Sequence, residues 1–105
     1  MTSPYLDSER NLQNRILEAA KALGWLTYHT HDSRRSAPGY PDLTLVRSRR
    51  LIFAELKSVK GKVTAEQQEW LDRLSATGAE CYTWRPADLQ TALTILTADR
   101  YTPTP

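Results

Sequence analysis

Pro41–Lys57, "PDLTLVRSRRLIFAELK", decides the fold. Two runs of alternating aliphatic and β-branched residues, "DLTLVR" and "LIFAELK", flank a short basic link, Ser48–Arg50. The composition predicts two adjacent strands, although the link lacks the Asn-Gly chemistry of a tight hairpin. Within this apolar pattern stand Asp42, Glu55 and Lys57. Residues two apart on a strand share a face, so Glu55 and Lys57 project together, roughly 6.5–7 Å apart, and Ala54 and Leu56 point the other way. If the two strands pair antiparallel, Asp42 falls at the open end of the hairpin, beside both.

Working outward, Leu12, Ile16, Ala19, Ala20 and Leu23 recur at helical spacing, which predicts a helix from about Asp7 to Leu23 ended by Gly24. Trp25–Thr30, "WLTYHT", reads as a strand, and "HDSRRSAPGYP" as a loop. Thr64 and Gln67 have capping-box spacing and open a helix through Trp70, Leu71 and Leu74 to Gly78. Ala79–Trp84 reads as a further strand, Pro86 starts a last helix, and "YTPTP" is an expected tail. The order α-β-β-β-α-β-α predicts an α/β fold, a small mixed sheet flanked by helices. One domain is expected over residues 1–98, with a tail from 99 to 105.

The 105 residues are 40% hydrophobic and 25% charged, a globular balance with no apolar run of membrane-spanning length. No apolar signal core opens the chain, and the lone Cys81 excludes an internal disulfide. An intracellular location is the default expectation. The net charge is only +2, yet eight of the fourteen basic residues and two of the twelve acidic ones lie between Arg34 and Lys62. Such a local excess suits a polyanion. It makes Arg34, Arg35, Arg47, Arg49, Arg50, Lys60 and Lys62 candidate contacts to a DNA backbone. Tyr40 has two readings: stacking on an exposed base, or packing over the sheet edge.

Glu9 lies in helical line with Ile16 and Leu23, which places an acid at the end of the expected buried stripe. Gln67 heads the apolar face of its helix. Two or three carboxylates gathered at one sheet end favour hard divalent cations such as Mg²⁺ or Mn²⁺. A neighbouring lysine orients or deprotonates a water, or stabilises developing negative charge. Each residue alone also has an ordinary structural reading, Gln67 as a cap and Glu55–Lys57 as a surface pair; their convergence points to phosphodiester chemistry.

"PGYPDL", "FAELK" and the stretch "AELKSVKGKVTAEQQEWLDRLSATGAECYTWRP" carry a resemblance to the PD-(D/E)XK nucleases, and within them to the VRR-NUC (virus-type replication–repair nuclease) family. The likeness spans roughly Ser8 to Asp88. It implies a restriction-endonuclease-like core, catalytic residues Asp42, Glu55 and Lys57, accessory positions Glu9 and Gln67, and Mg²⁺ or Mn²⁺ held by Asp42, Glu55 and Glu9. It further implies a homodimeric endonuclease that cuts branched DNA, including four-way junctions, in replication, recombination or repair, inside a bacterial or phage-infected cell. A non-catalytic DNA-binding module on the same fold and an RNA-directed nuclease are the alternatives.

Overall fold

A computed structural model describes residues 8–31 and 37–100. Helix α1 (Glu9–Ala22) leads into β1 (Leu26–His29), β2 (Leu43–Arg47) and β3 (Arg50–Leu56). Helix α2 (Ala65–Ala76) then crosses to β4 (Glu80–Trp84), and a single 3-10 turn, Pro86–Asp88, opens α3 (Leu89–Thr97). The observed order is the expected one. Differences lie at the ends: Trp25 and Thr30 fall outside β1, and Asp42 precedes β2.

The sheet order is β1-β2-β3-β4, with the first two pairings antiparallel and β3–β4 parallel. Parallel pairing requires a crossover, which α2 provides. Strand alternation gives the sheet two different faces. Leu43, Leu45, Ile52, Ala54, Leu56 and Trp84 point to one face and form the core with Leu12, Ile16 and Ala20 of α1 and Ala92 and Leu96 of α3. Trp25 joins this core, and its indole N–H donates to the Leu96 carbonyl at 3.0 Å. Helix α2 packs on the opposite face, over β3 and β4.

Local chemistry fixes the helix ends as the spacing predicts. Thr64 and Gln67 form a reciprocal capping box, with Thr64 N–H donating to Gln67 Oε1 at 2.9 Å and Gln67 N–H to Thr64 Oγ1 at 3.1 Å. Ser8 caps α1 by accepting from Asn11 N–H at 3.0 Å. The buried stripe of α1 runs through Leu12, Ile16 and Ala20, whereas Glu9 and Leu23 are exposed. The expectation that Glu9 shares a buried line with Leu23 is therefore corrected. As the first and last positions around α1, they overhang the core that the middle of the helix covers.

The β2–β3 link is a two-residue turn, because Arg47 pairs with Arg50. Ser48 takes φ +53°, the left-handed conformation that tight hairpins demand at a central position. No Asn-Gly signal announces this turn, so register rather than turn chemistry sets it. The predicted tail lies largely outside the described residues, which end at 100.

Candidate active site

The β2–β3 register brings the acidic residues together. Leu43 faces Ala54, which carries Asp42 opposite Glu55 at the open end of the hairpin. Asp42 Oδ2 accepts a hydrogen bond from Leu56 N–H at 2.8 Å. Thr30 holds the same segment from the other side: its N–H donates to the Asp42 carbonyl and its hydroxyl to the Pro41 carbonyl, both at 2.8 Å. Lys57 follows β3 and keeps a ladder bond, its N–H donating to Trp84 O at 3.0 Å. Backbone bonds thus hold Asp42, Glu55 and Lys57 on one rim.

Glu55 is 2% exposed, and its Oε2 lies 3.5 Å from Lys57 Nζ. Its Oε1 is buried with no hydrogen-bond partner. Burial, reinforced by the Asp42 carboxylate, pushes the Glu55 carboxyl up to about 8, with Lys57 acting against both. A buried acid with one oxygen unsatisfied is costly unless something charged completes it. Glu9, in the first turn of α1, also feels this cluster: partial desolvation and then Asp42 raise its carboxyl above the usual range, and Lys57 opposes them.

Among the described residues, no three His, Cys, Asp or Glu side chains are gathered into a ready cation cluster. What the rim provides is a carboxylate pair, Asp42 and Glu55, with Glu9 outside it. Oxygen donors, one of them orphaned, fit a hard divalent cation.

Neighbouring residues set the rim. Gly39 (φ +92°) lies so close to α2 that a Cβ there would sit 2.6 Å from Glu66 C and 2.8 Å from Gln67 N. The loop before Asp42 is therefore docked on the capped end of α2. Gln67 spends its side-chain oxygen on that cap. Tyr40 packs edge-on against Phe53 and Trp70, with centroids 6.2 and 5.0 Å away, which favours the packing reading of this residue. Trp70 in turn donates to the Pro38 carbonyl at 3.1 Å.

The basic residues divide. Lys60 and Lys62 are exposed on the loop after Lys57, at the site's end of the sheet. Arg47, Arg49 and Arg50 lie at the hairpin turn, roughly 17 Å along the strand from Asp42. Arg50 is only 5% exposed: it grips Glu80 with two bonds of 2.8 and 2.6 Å and donates to the Ile95 and Ala98 carbonyls at 2.8 and 2.7 Å. Arg47 donates to Leu23 O at 3.1 Å and to Ala98 O, and covers the Trp25 ring. The expectation that Arg50 contacts DNA is corrected, since its donors are consumed tying α3 to the sheet. Arg47 is similarly committed, and Arg49 alone of the three is exposed. Arg34 and Arg35 lie outside the described residues.

Two contributors escape the sequence reading. Thr30 pins Asp42, and Arg85 braces the loop after Lys57 by donating to Ser58 O at 2.9 Å and Gly61 O at 2.6 Å. Neither has a local signature, because both act through backbone carbonyls distant in sequence. Glu80 had a signal: an acid in the apolar strand "AECYTW" needs a buried partner.

A small mixed sheet with a buried acidic–lysine rim is the frame of a nuclease-type domain. Residues 2–86 match the VRR-NUC domain, and the chain belongs to that family. A solved structure described as a VRR_NUC domain superposes with a TM-score of 0.68 at 25% identity, covering 82% of this chain and 94% of that one. No curated protein sequence matches the chain. Among the described residues, no helix is long and apolar enough to cross a membrane.

Proposed function

We propose that the chain is a divalent-metal-dependent endonuclease that hydrolyses DNA phosphodiester bonds, with Asp42, Glu55 and Lys57 as its catalytic residues. The observation that carries this reading is the orphaned Oε1 of buried Glu55 beside Asp42 and Lys57. Asp42 and Glu55 would hold Mg²⁺ or Mn²⁺, with Glu9 contributing from the first turn of α1. When bound, the cation supplies a Lewis acid for the phosphoryl oxygen and neutralises charge that grows in the transition state.

The chain's own groups do the rest. Asp42 presents a carboxylate whose orientation is fixed by Leu56 N–H. Glu55, whose carboxyl is raised by burial and by the neighbouring Asp42 carboxylate, would favour its ionised form again if a cation lay beside it. Lys57, 13% exposed, keeps its ammonium at the rim to orient the attacking water or to stabilise the departing oxygen. Gln67 lies against Gly39 of the loop before Asp42 and would act only as an accessory group, its side-chain oxygen being engaged by the cap of α2. Lys60 and Lys62 would lie along the DNA backbone.

The family supports a finer reading: a homodimer selective for branched or four-way-junction DNA. Matched duplex, single-stranded, flap and junction DNA, with RNA counterparts, test it in Mg²⁺, Mn²⁺ or EDTA. The expected result is metal-dependent DNA cleavage, strongest on branched substrates, that disappears in Asp42→Asn protein. Cleavage unchanged by Asp42→Asn rejects the site, and binding without cleavage under every metal identifies a non-catalytic module. Light scattering tests the dimer.

A further inference from the structure

We propose that Tyr28 is a stacking platform for an unpaired nucleobase next to the phosphodiester engaged at Asp42 and Glu55. The inference rests on the nuclease reading and adds a positioning residue and a substrate preference to it. In the sheet, Tyr28 faces Thr44, and Thr44 faces Phe53. Alternation puts this row on the face that carries Asp42 and Glu55, one row further along. Tyr28 and Asp42 are diagonal neighbours across β1 and β2, roughly 7–8 Å apart. That separation is comparable to the distance between a phosphate and an adjoining base.

The two ends of the row are treated differently. Phe53 is 7% exposed beneath Tyr40, whereas Tyr28 is 59% exposed on edge strand β1. An exposed ring on a sheet face offers a flat apolar surface of the kind on which bases stack. Leu26, Val46 and Leu51 continue the apolar surface away from the site. Lys57 lies on the rim itself, and Lys60 and Lys62 are exposed at the same sheet end. A strand with an anionic backbone and planar bases satisfies both the basic and the apolar parts, while an apolar partner surface satisfies only the second. A base paired within a duplex cannot offer its face to the ring, so the platform requires an unpaired nucleotide.

The test titrates wild type, Tyr28→Ala and Tyr28→Phe in EDTA against a labelled single strand and a blunt-ended, fully paired duplex, with a fluorescent adenine analogue in the strand. Stacking predicts roughly 5- to 150-fold weaker single-strand binding by Tyr28→Ala, with little change on the duplex. Tyr28→Phe should bind like wild type and keep the quenching of the analogue that Tyr28→Ala loses. In Mg²⁺, KM should rise in Tyr28→Ala while kcat stays within a few-fold. Unchanged single-strand binding by Tyr28→Ala, or equal losses on both probes, overturns the proposal. So does light scattering in which Tyr28→Ala converts a dimer to a monomer, because the ring would then be packing against a second copy. Wild type that neither binds nor cuts DNA defeats the nuclease reading itself; wild-type cleavage indifferent to Tyr28→Ala defeats only the stacking.

Discussion

Asp42 Oδ2 accepts the N–H of Leu56 at 2.8 Å, so the carboxylate at the start of one strand is bonded to the residue between Glu55 and Lys57 on the next. This bond makes the three-residue candidate site a property of the hairpin end rather than of a loose loop. On the proposed reading, a substitution at Asp42 would therefore change both chemistry and structure.

The two effects separate by choice of substitution. Asp42→Asn retains an oxygen acceptor and should keep near-wild-type stability while lowering cleavage by about 10²-fold or more, a loss typical of removing one preorganised charged group. Asp42→Ala leaves Leu56 N–H without its acceptor and should cost a further 1–3 kcal/mol or so of stability. Urea unfolding and cleavage rates measured side by side check the distinction. Equal stability of the two variants would show that this hydrogen bond does not hold the hairpin end.

Glu55 makes stability depend on pH in the absence of divalent cations. Its carboxyl rises from 4.5 to about 8 on folding, so between those values the folded state holds a proton that the unfolded chain has lost. Its contribution is fully present below pH 4.5 and is lost as pH rises through about 8. Thermal unfolding in EDTA should therefore show stability falling between pH 5 and pH 8 by more in wild type than in Glu55→Gln. Added Mg²⁺ at pH 8 should raise the wild-type midpoint and leave that of Glu55→Gln nearly unchanged. A pH slope identical in the two proteins would remove Glu55 as its source.

Arg50→Ala should be strongly destabilising, by about 3–5 kcal/mol, because Glu80 (3% exposed) would keep a buried charge without its partner. Replacing both, as in Arg50→Met with Glu80→Leu, should recover much of that loss. Arg49→Ala, at an exposed position on the same turn, should change stability by less than roughly 0.5 kcal/mol. Chemical denaturation of the four proteins checks the order. A mild Arg50→Ala phenotype would mean that neither the Arg50–Glu80 pair nor the Arg50 bonds to the Ile95 and Ala98 carbonyls hold the sheet and α3 together.

Gly39→Ala places a Cβ against the backbone of Glu66 and Gln67 in a conformation that disfavours any side chain. A loss of about 1–3 kcal/mol is expected. Cleavage measured well below the unfolding temperature should also fall, since the displaced loop carries Tyr40, Pro41 and Asp42. Unaltered stability and activity would show that the loop can dock on α2 in another way. Gly78→Ala, which has a positive φ but open space around its Cβ position, separates backbone strain from the clash.

The sequence by itself determined the order of elements, the capping box at Thr64 and Gln67, and the shared face of Glu55 and Lys57, while the β2–β3 pairing brought Asp42 beside them. The first three follow from short-range rules: helical and strand periodicity, cap geometry, and the two-residue alternation that puts Glu55 and Lys57 on one face. Tertiary structure decided how each charge is used. Arg50 and Lys60 look alike in a basic run, but only packing shows that the first is buried against Glu80 and the second is exposed. Likewise, Glu55 loses its solvation, Gly39 meets α2, and Tyr28 stays open while Phe53 is covered. Burial and partnership arise from segments distant along the chain, and they fix the local dielectric and hydrogen bonding that turn a charged residue into either a strut or a reactive group.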